Sequence, residues 1–161
     1  MTQDIKDVEP GPVVEHLFED IEVGDVRTAG PITVTEEEIL AFARRYDPLP
    51  MHTSDAGGRE TPHDSMISSG VLTIALKQRM IMSIERNKAL IGAVRIEEQN
   101  FLLPVRPGDE LSIRQECVNK RESRSKPDRG LVTWAFEVIN QDGMVVLNSR
   151  DQVMVRRRPG N

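Results

Sequence analysis

The second half of this chain is four strand-like runs in succession, with no helix between them. Residues 91–103, 109–120, 130–140 and 143–156 are enriched in β-branched side chains. Turn signals divide them: Pro104-Val105-Arg106-Pro107-Gly108-Asp109, then Ser123 to Arg129, then Asn140-Gln141-Asp142-Gly143. Asp-Gly between two such runs is a hairpin signal. Period-two alternation is visible in Glu110-Leu111-Ser112-Ile113-Arg114 and in Trp134-Ala135-Phe136-Glu137-Val138. Consecutive strands with tight turns pair antiparallel, because a parallel pair needs a long crossover.

The chain ahead of these runs supplies one strand and two helices. Phe18 to Asp25 leads into a strand at roughly Val26 to Val34. Thr35 is an N-cap, with Glu38 three residues on as in a capping box. From it Ile39, Leu40, Phe42, Ala43 and Tyr46 recur at helical spacing. A second, longer helix opens at Ser68-Ser69-Gly70 and ends near Arg86-Asn87-Lys88. Val71, Leu72, Ile74, Ala75, Ile81 and Ile84 make it apolar on most sides, which predicts burial. Met80 and Met82 read as core filler. Such a helix needs a sheet to wrap it. The predicted class is α+β, a curved antiparallel sheet around one central helix. A single layer of this kind leaves a sheet edge exposed, so a homodimer or larger homo-oligomer is expected.

Length and charge bound the rest. The 161 residues suit one domain with a proper core. Residues 1–16 are polar, with Pro10-Gly11-Pro12, and read as a flexible arm; 17–156 form the domain; 157–161 are a tail. A net charge of -5 argues against nucleic acid as a partner. Basic residues cluster at Lys120-Arg121, Arg124-Ser125-Lys126 and Arg156-Arg157-Arg158, runs that are usually solvated. The single cysteine, Cys117, excludes an internal disulfide and reads as a strand residue rather than a nucleophile. No signal-peptide pattern opens the chain, and no stretch approaches the roughly 18 apolar residues of a membrane span. A cytoplasmic protein is expected, with no membrane partner.

Chemistry points to Asp47-Pro48-Leu49-Pro50-Met51-His52. A carboxylate and an imidazole stand five residues apart with two prolines between them. Proline removes backbone donors and holds its predecessor extended, which predicts a stiff loop rather than a helix turn. Rigid placement is what a two-residue acid/base site requires. Only three histidines exist, and His16 and His63 lack such a tether. His16 lies in the arm, and His63 reads as structural or solvent-exposed. Taken alone, the pair is equally an Asp-Pro turn and a loop histidine.

These segments resemble the MaoC-like dehydratases, or (R)-specific enoyl-CoA hydratases, of the hotdog fold. The resemblance covers about residues 17–156. It begins with Phe18-Glu19-Asp20-Ile21-Glu22-Val23-Gly24-Asp25 and continues through the Asp47…His52 motif to Ile67-Ser68-Ser69-Gly70. It ends with Leu103-Pro104-Val105-Arg106-Pro107-Gly108-Asp109 and the loop Ser123 to Gly130. The chain departs from the family at Leu49, where Asn or Gln is common, and at Asp64-Ser65, where many members have Gly-Gly. A serine found in some hydratases would fall near Gln78.

The resemblance implies a hydro-lyase that hydrates a 2-enoyl thioester or dehydrates a 3-hydroxyacyl thioester. It implies acyl-CoA or acyl carrier protein substrates, fatty acid metabolism, and no metal or cofactor. Asp47 and His52 would be the acid/base pair on water. The N–H of Gly70, or of an immediate neighbour, would stabilise the thioester oxygen at a helix N-terminus. Arg106, Arg124, Lys126 and Arg129 are candidates to meet coenzyme A phosphates. Two alternatives stand beside it. A thioesterase would use Gln78 or Glu85 on the central helix, and a non-catalytic module would bind an acyl thioester without turnover.

Overall fold

The protein is described by a computed structural model over residues 3–160. Two short strands come first, β1 (Gln3–Asp4) and β2 (Val13–Val14), followed by β3 (Val26–Thr33). Helix α1 (Glu36–Tyr46) leads to two short helices, α2 (Pro50–Thr53) and α3 (Asp55–Arg59), and then to the central helix α4 (Gly70–Ile84). The short β4 (Arg86–Asn87) precedes four long strands: β5 (Leu90–Phe101), β6 (Glu110–Glu122), β7 (Arg129–Ile139) and β8 (Val145–Arg156).

Six strands form one sheet in the order β1-β3-β6-β7-β8-β5. All pairings among the long strands are antiparallel; short turns join β6 to β7 and β7 to β8, whereas β5 pairs with β8 rather than with β6, the strand that follows it. β1 lies parallel to β3, and β2 pairs with β4 outside the sheet. Ile5 and Val8, between the first two strands, are buried in the main core. The last hairpin turns where Asp-Gly predicts it: Gly143 takes φ +76°, and its N–H donates to the Asn140 carbonyl at 3.0 Å.

Alternation decides which side chains reach the core. Along β6, Leu111, Ile113, Gln115 and Cys117 are buried between more exposed neighbours. Leu111, Ile113 and Cys117 meet Leu72, Leu76 and Met80 of α4 in one cluster with Val132, Phe136, Val138 and Leu147. Burial also pushes the Cys117 thiol above its usual range, which keeps it a packing residue.

The central helix is less enclosed than its composition predicts. It buries Leu72, Thr73, Leu76, Lys77 and Met80, while Val71, Ala75 and Gln78 face outward. One chain's sheet covers one side of the helix, and the apolar residues opposite remain uncovered. Lys77 was not expected inside. It is 2% exposed, and its ammonium bonds Asp151 at 2.7 Å and Ser149 at 2.9 Å on β8.

Candidate active site

Asp47 caps the C-terminus of α1, its N–H donating to the Ala43 carbonyl at 2.9 Å. Pro48 follows, so the helix cannot continue through its predecessor. The stiff loop that the two prolines predict is only partly present. Pro50 opens α2 instead, and His52 sits inside that turn. Proline is well placed at the first helical position, where its missing N–H costs nothing and its fixed φ suits a helix. Backbone bonds hold the whole segment: Leu49 N–H to the Asp47 carbonyl at 2.8 Å, and His52 N–H to the Leu49 carbonyl at 2.9 Å. The exposed Leu49 side chain takes no part in this bracing.

A second stretch locks against the first. Ile67 N–H donates to the Met51 carbonyl at 3.0 Å, and Ser68 N–H to the Val105 carbonyl at 2.7 Å. The left-handed Asp64, at φ +57°, turns the chain into it, at a place where the family often has glycine. Residues 66–69 are all buried, and Ser69 caps α4.

The two candidate side chains converge. His52 is 4% exposed, and its Nδ1 lies 2.9 Å from the Ile67 carbonyl. A carbonyl only accepts, so Nδ1 carries the proton. Neutral His52 therefore presents a bare lone pair on Nε2, which faces Asp47 Oδ2 at 3.5 Å. That carboxylate oxygen also accepts from Ser69 Oγ at 2.6 Å. Ser69 Oγ in turn accepts from the Val71 N–H at 3.2 Å. Ser69 is the partner that sequence reasoning passed over; its signal was a serine immediately ahead of an apolar helix.

A cavity of about 460 Å³ adjoins the pair. His52, His63, Ser68, Gly70 and Thr73 line it, together with the residues around Leu103. Asp47 lies outside this wall and touches it through His52; its carboxylate is 29% exposed. His63, expected to be structural or exposed, belongs to the wall. Gly70 has a packing reason to be glycine: a Cβ there would come within 2.7 Å of the Phe101 ring. Its N–H stands in the first turn of α4, where helical N–H groups have no partner within the helix.

Three of the other candidates, Arg106, Arg129 and Glu85, make bonds of their own. Arg106 bonds Ser65 Oγ and the His63 carbonyl, bracing the loop behind the cavity. Arg129 pairs with Asp128. Glu85 is held by Arg27 and His16, and Gln78 is exposed. Among the described residues, no group of three or more His, Cys, Asp or Glu is placed to hold a metal ion. No helix among them is long and apolar enough to cross a membrane.

Comparison with known proteins bears on the family and the fold. The family model of the MaoC like domain matches residues 20–136. The MaoC-like dehydratase from Rhodospirillum rubrum is 34% identical, with a TM-score of 0.82 over 89% of this chain and 98% of that one. The R-hydratase PhaJ1 from Pseudomonas aeruginosa, at 23% identity, gives 0.72 over 89% and 88% of the two chains. An uncharacterized protein of Bacillus subtilis, YdeM, is 24% identical over 87% of this chain and 99% of its own length. The architecture is that of the hotdog fold, an antiparallel sheet wrapped on one helix. The chain belongs to the MaoC-like domain family, whose structural neighbours here are dehydratases and hydratases.

Proposed function

We propose that the protein is a hydro-lyase that adds water to a 2-enoyl thioester, or removes it from a 3-hydroxyacyl thioester, with Asp47 and His52 as the acid/base pair. The observation that carries this reading is the approach of His52 Nε2 to Asp47 Oδ2 while Nδ1 is held at the Ile67 carbonyl. With Nδ1 committed to Ile67, two acceptors face each other across 3.5 Å. A water molecule lying off the line between them donates to both and is made nucleophilic. Its oxygen bonds C3, one of its protons passes to the pair, and a proton is returned at C2. Negative charge gathers on the thioester oxygen as the enolate forms. The N–H of Gly70 or of an immediate neighbour, at the positive end of α4, is the proposed donor to that oxygen.

The substrate is proposed to be an acyl-CoA or an acyl carrier protein thioester. A homodimer is proposed to form over the uncovered face of α4 and the edge strand β5, where Val94 and Ile96 are 47% and 56% exposed. The test is hydration of crotonyl-CoA, followed by loss of the enoyl absorbance. Asp47→Asn and His52→Ala are expected to lower kcat/KM by about 10²–10⁴-fold while circular dichroism stays native. Activity retained in both variants rejects the assignment.

A further inference from the structure

The wall of the cavity at His52 holds four polar side chains, His52, His63, Ser68 and Thr73, among residues that are otherwise apolar or glycine. Three of the four are engaged. His52 Nδ1 meets the Ile67 carbonyl, and its Nε2 faces Asp47. Ser68 Oγ donates to the Ser69 carbonyl at 3.1 Å, and Thr73 Oγ1 reaches the same carbonyl at 3.5 Å. The His63 ring has no hydrogen bond or ion pair among the described residues.

The backbone of His63 is nonetheless pinned. Its N–H donates to Thr61 Oγ1 at 3.2 Å, and Arg106 Nη2 donates to its carbonyl at 2.8 Å. Thr61 Oγ1 in turn donates to the Gly58 carbonyl at 2.7 Å, and Arg106 also bonds Ser65 Oγ. With both backbone groups taken, the ring is what His63 has left to offer the cavity. Val71 and Phe101 carry part of the wall to the face proposed for a second copy, but Thr61 and Arg106, which place His63, lie on neither α4 nor β5.

His63 is half-buried whereas His52 is 4% exposed, so His63 stands nearer to solvent. A ligand that reaches His52 meets His63 with the part that leads outward. An anionic group does not suit that place. The next residue, Asp64, is an exposed carboxylate, and Arg106 is committed to Ser65 and the His63 carbonyl outside the wall.

We propose that His63 hydrogen-bonds a neutral secondary amide in the thiol arm of the substrate. Coenzyme A and acyl carrier protein thioesters share this arm, an aliphatic chain interrupted by amides. Its methylenes suit the apolar wall, and its amide meets the one polar side chain there that bonds nothing else. An imidazole carries an N–H in every protonation state and so can donate to the amide carbonyl. His63 is then a substrate-binding residue that moves no proton at C2 or C3. The proposal rests on reading the cavity as an acyl-thioester site, not on the reaction assigned to Asp47 and His52.

Saturated thioesters read binding without turnover. The probes are butyryl-N-acetylcysteamine, which carries the amide, and S-pentyl thiobutyrate, which has methylenes in its place, each titrated by NMR. The affinity ratio of amide to pentyl thioester is expected to fall about fivefold from the wild type to His63→Phe, which keeps a planar ring and loses the donor. His63→Gln, which keeps an N–H, should hold the wild-type ratio within about twofold. Both variants should keep the wild-type thermal midpoint, since the ring bonds nothing in the protein. A purely structural residue would instead lower the midpoint and weaken both ligands alike. The chain has three histidines, so the His63 ring signal is assignable by its loss in either variant. In the wild type it should move further with the amide thioester than with the pentyl one. An unchanged ratio in His63→Phe overturns the proposal, as does a ring signal that moves equally with both ligands. Crotonyl-CoA and crotonyl acyl carrier protein, compared as substrates, show which source of the arm is used, and His63→Phe should raise KM about fivefold for that source. An unchanged KM also overturns the proposal. Loss of the amide preference without hydration of either substrate counts against the hydro-lyase reading alone.

Discussion

At the scale of single residues, the candidate site depends on one carbonyl and one hydroxyl. The Ile67 carbonyl sets which nitrogen of His52 is free, and Ser69 Oγ steadies the carboxylate oxygen that this nitrogen faces. On the proposed reading Ser69 is a positioning residue. A hydrogen bond to a charged group contributes about 1.5–3 kcal/mol, so Ser69→Ala is expected to lower kcat about tenfold or more. KM should change far less, because the hydroxyl bonds the Asp47 carboxylate. Ser69→Thr, which keeps the hydroxyl, should restore kcat. An alanine variant with unchanged kcat would show that Asp47 needs no such support. Asp47 and His52 were legible in the sequence because scarcity and prolines mark them. Ser69 was not, since its partner lies 22 residues away and a serine before a helix reads only as a cap.

At the scale of elements, local signals were read correctly and proline was over-read. Thr35 accepts from the Glu38 N–H at 3.2 Å, as the capping pattern predicts. Thr35→Ala should cost about 1 kcal/mol, seen as a lower urea midpoint, with crotonyl-CoA activity per folded molecule unchanged. Loss of activity in proportion to the cap would instead tie α1 directly to the site. The four strand runs and the Asn140–Gly143 hairpin were legible because period-two alternation and turn chemistry are local. The α2 turn was not anticipated, because a proline that breaks a helix interior is favourable at its first position. Nothing in the polar segment before residue 16 signals the short parallel pairings of β1 and β2, which join residues far apart in sequence.

At the scale of the whole molecule, Lys77 ties the central helix to the far strand. Its partner Asp151 lies 74 residues away, so an apolar helix with one lysine gave no hint of a buried ion pair. Truncating the acid alone leaves an ammonium inside the core, and Asp151→Ala should cost about 3 kcal/mol. Lys77→Met with Asp151→Leu should be close to neutral, since an apolar pair of similar volume replaces the ions. Chemical denaturation of the two variants distinguishes these outcomes; equal losses would mean that the pair is not insulated from solvent. The uncovered face of α4 and the long edge of β5 lead to a further expectation. Sedimentation should give at least twice the 18.1 kDa of one chain, and a monomer would remove the proposed interface. The most direct measurement of the central claim is a crystal structure with a bound 3-hydroxyacyl-CoA. The account predicts the 3-hydroxyl oxygen about 3 Å from both His52 Nε2 and Asp47 Oδ2. A hydroxyl seated away from both atoms, with the acyl group fully ordered, would contradict it.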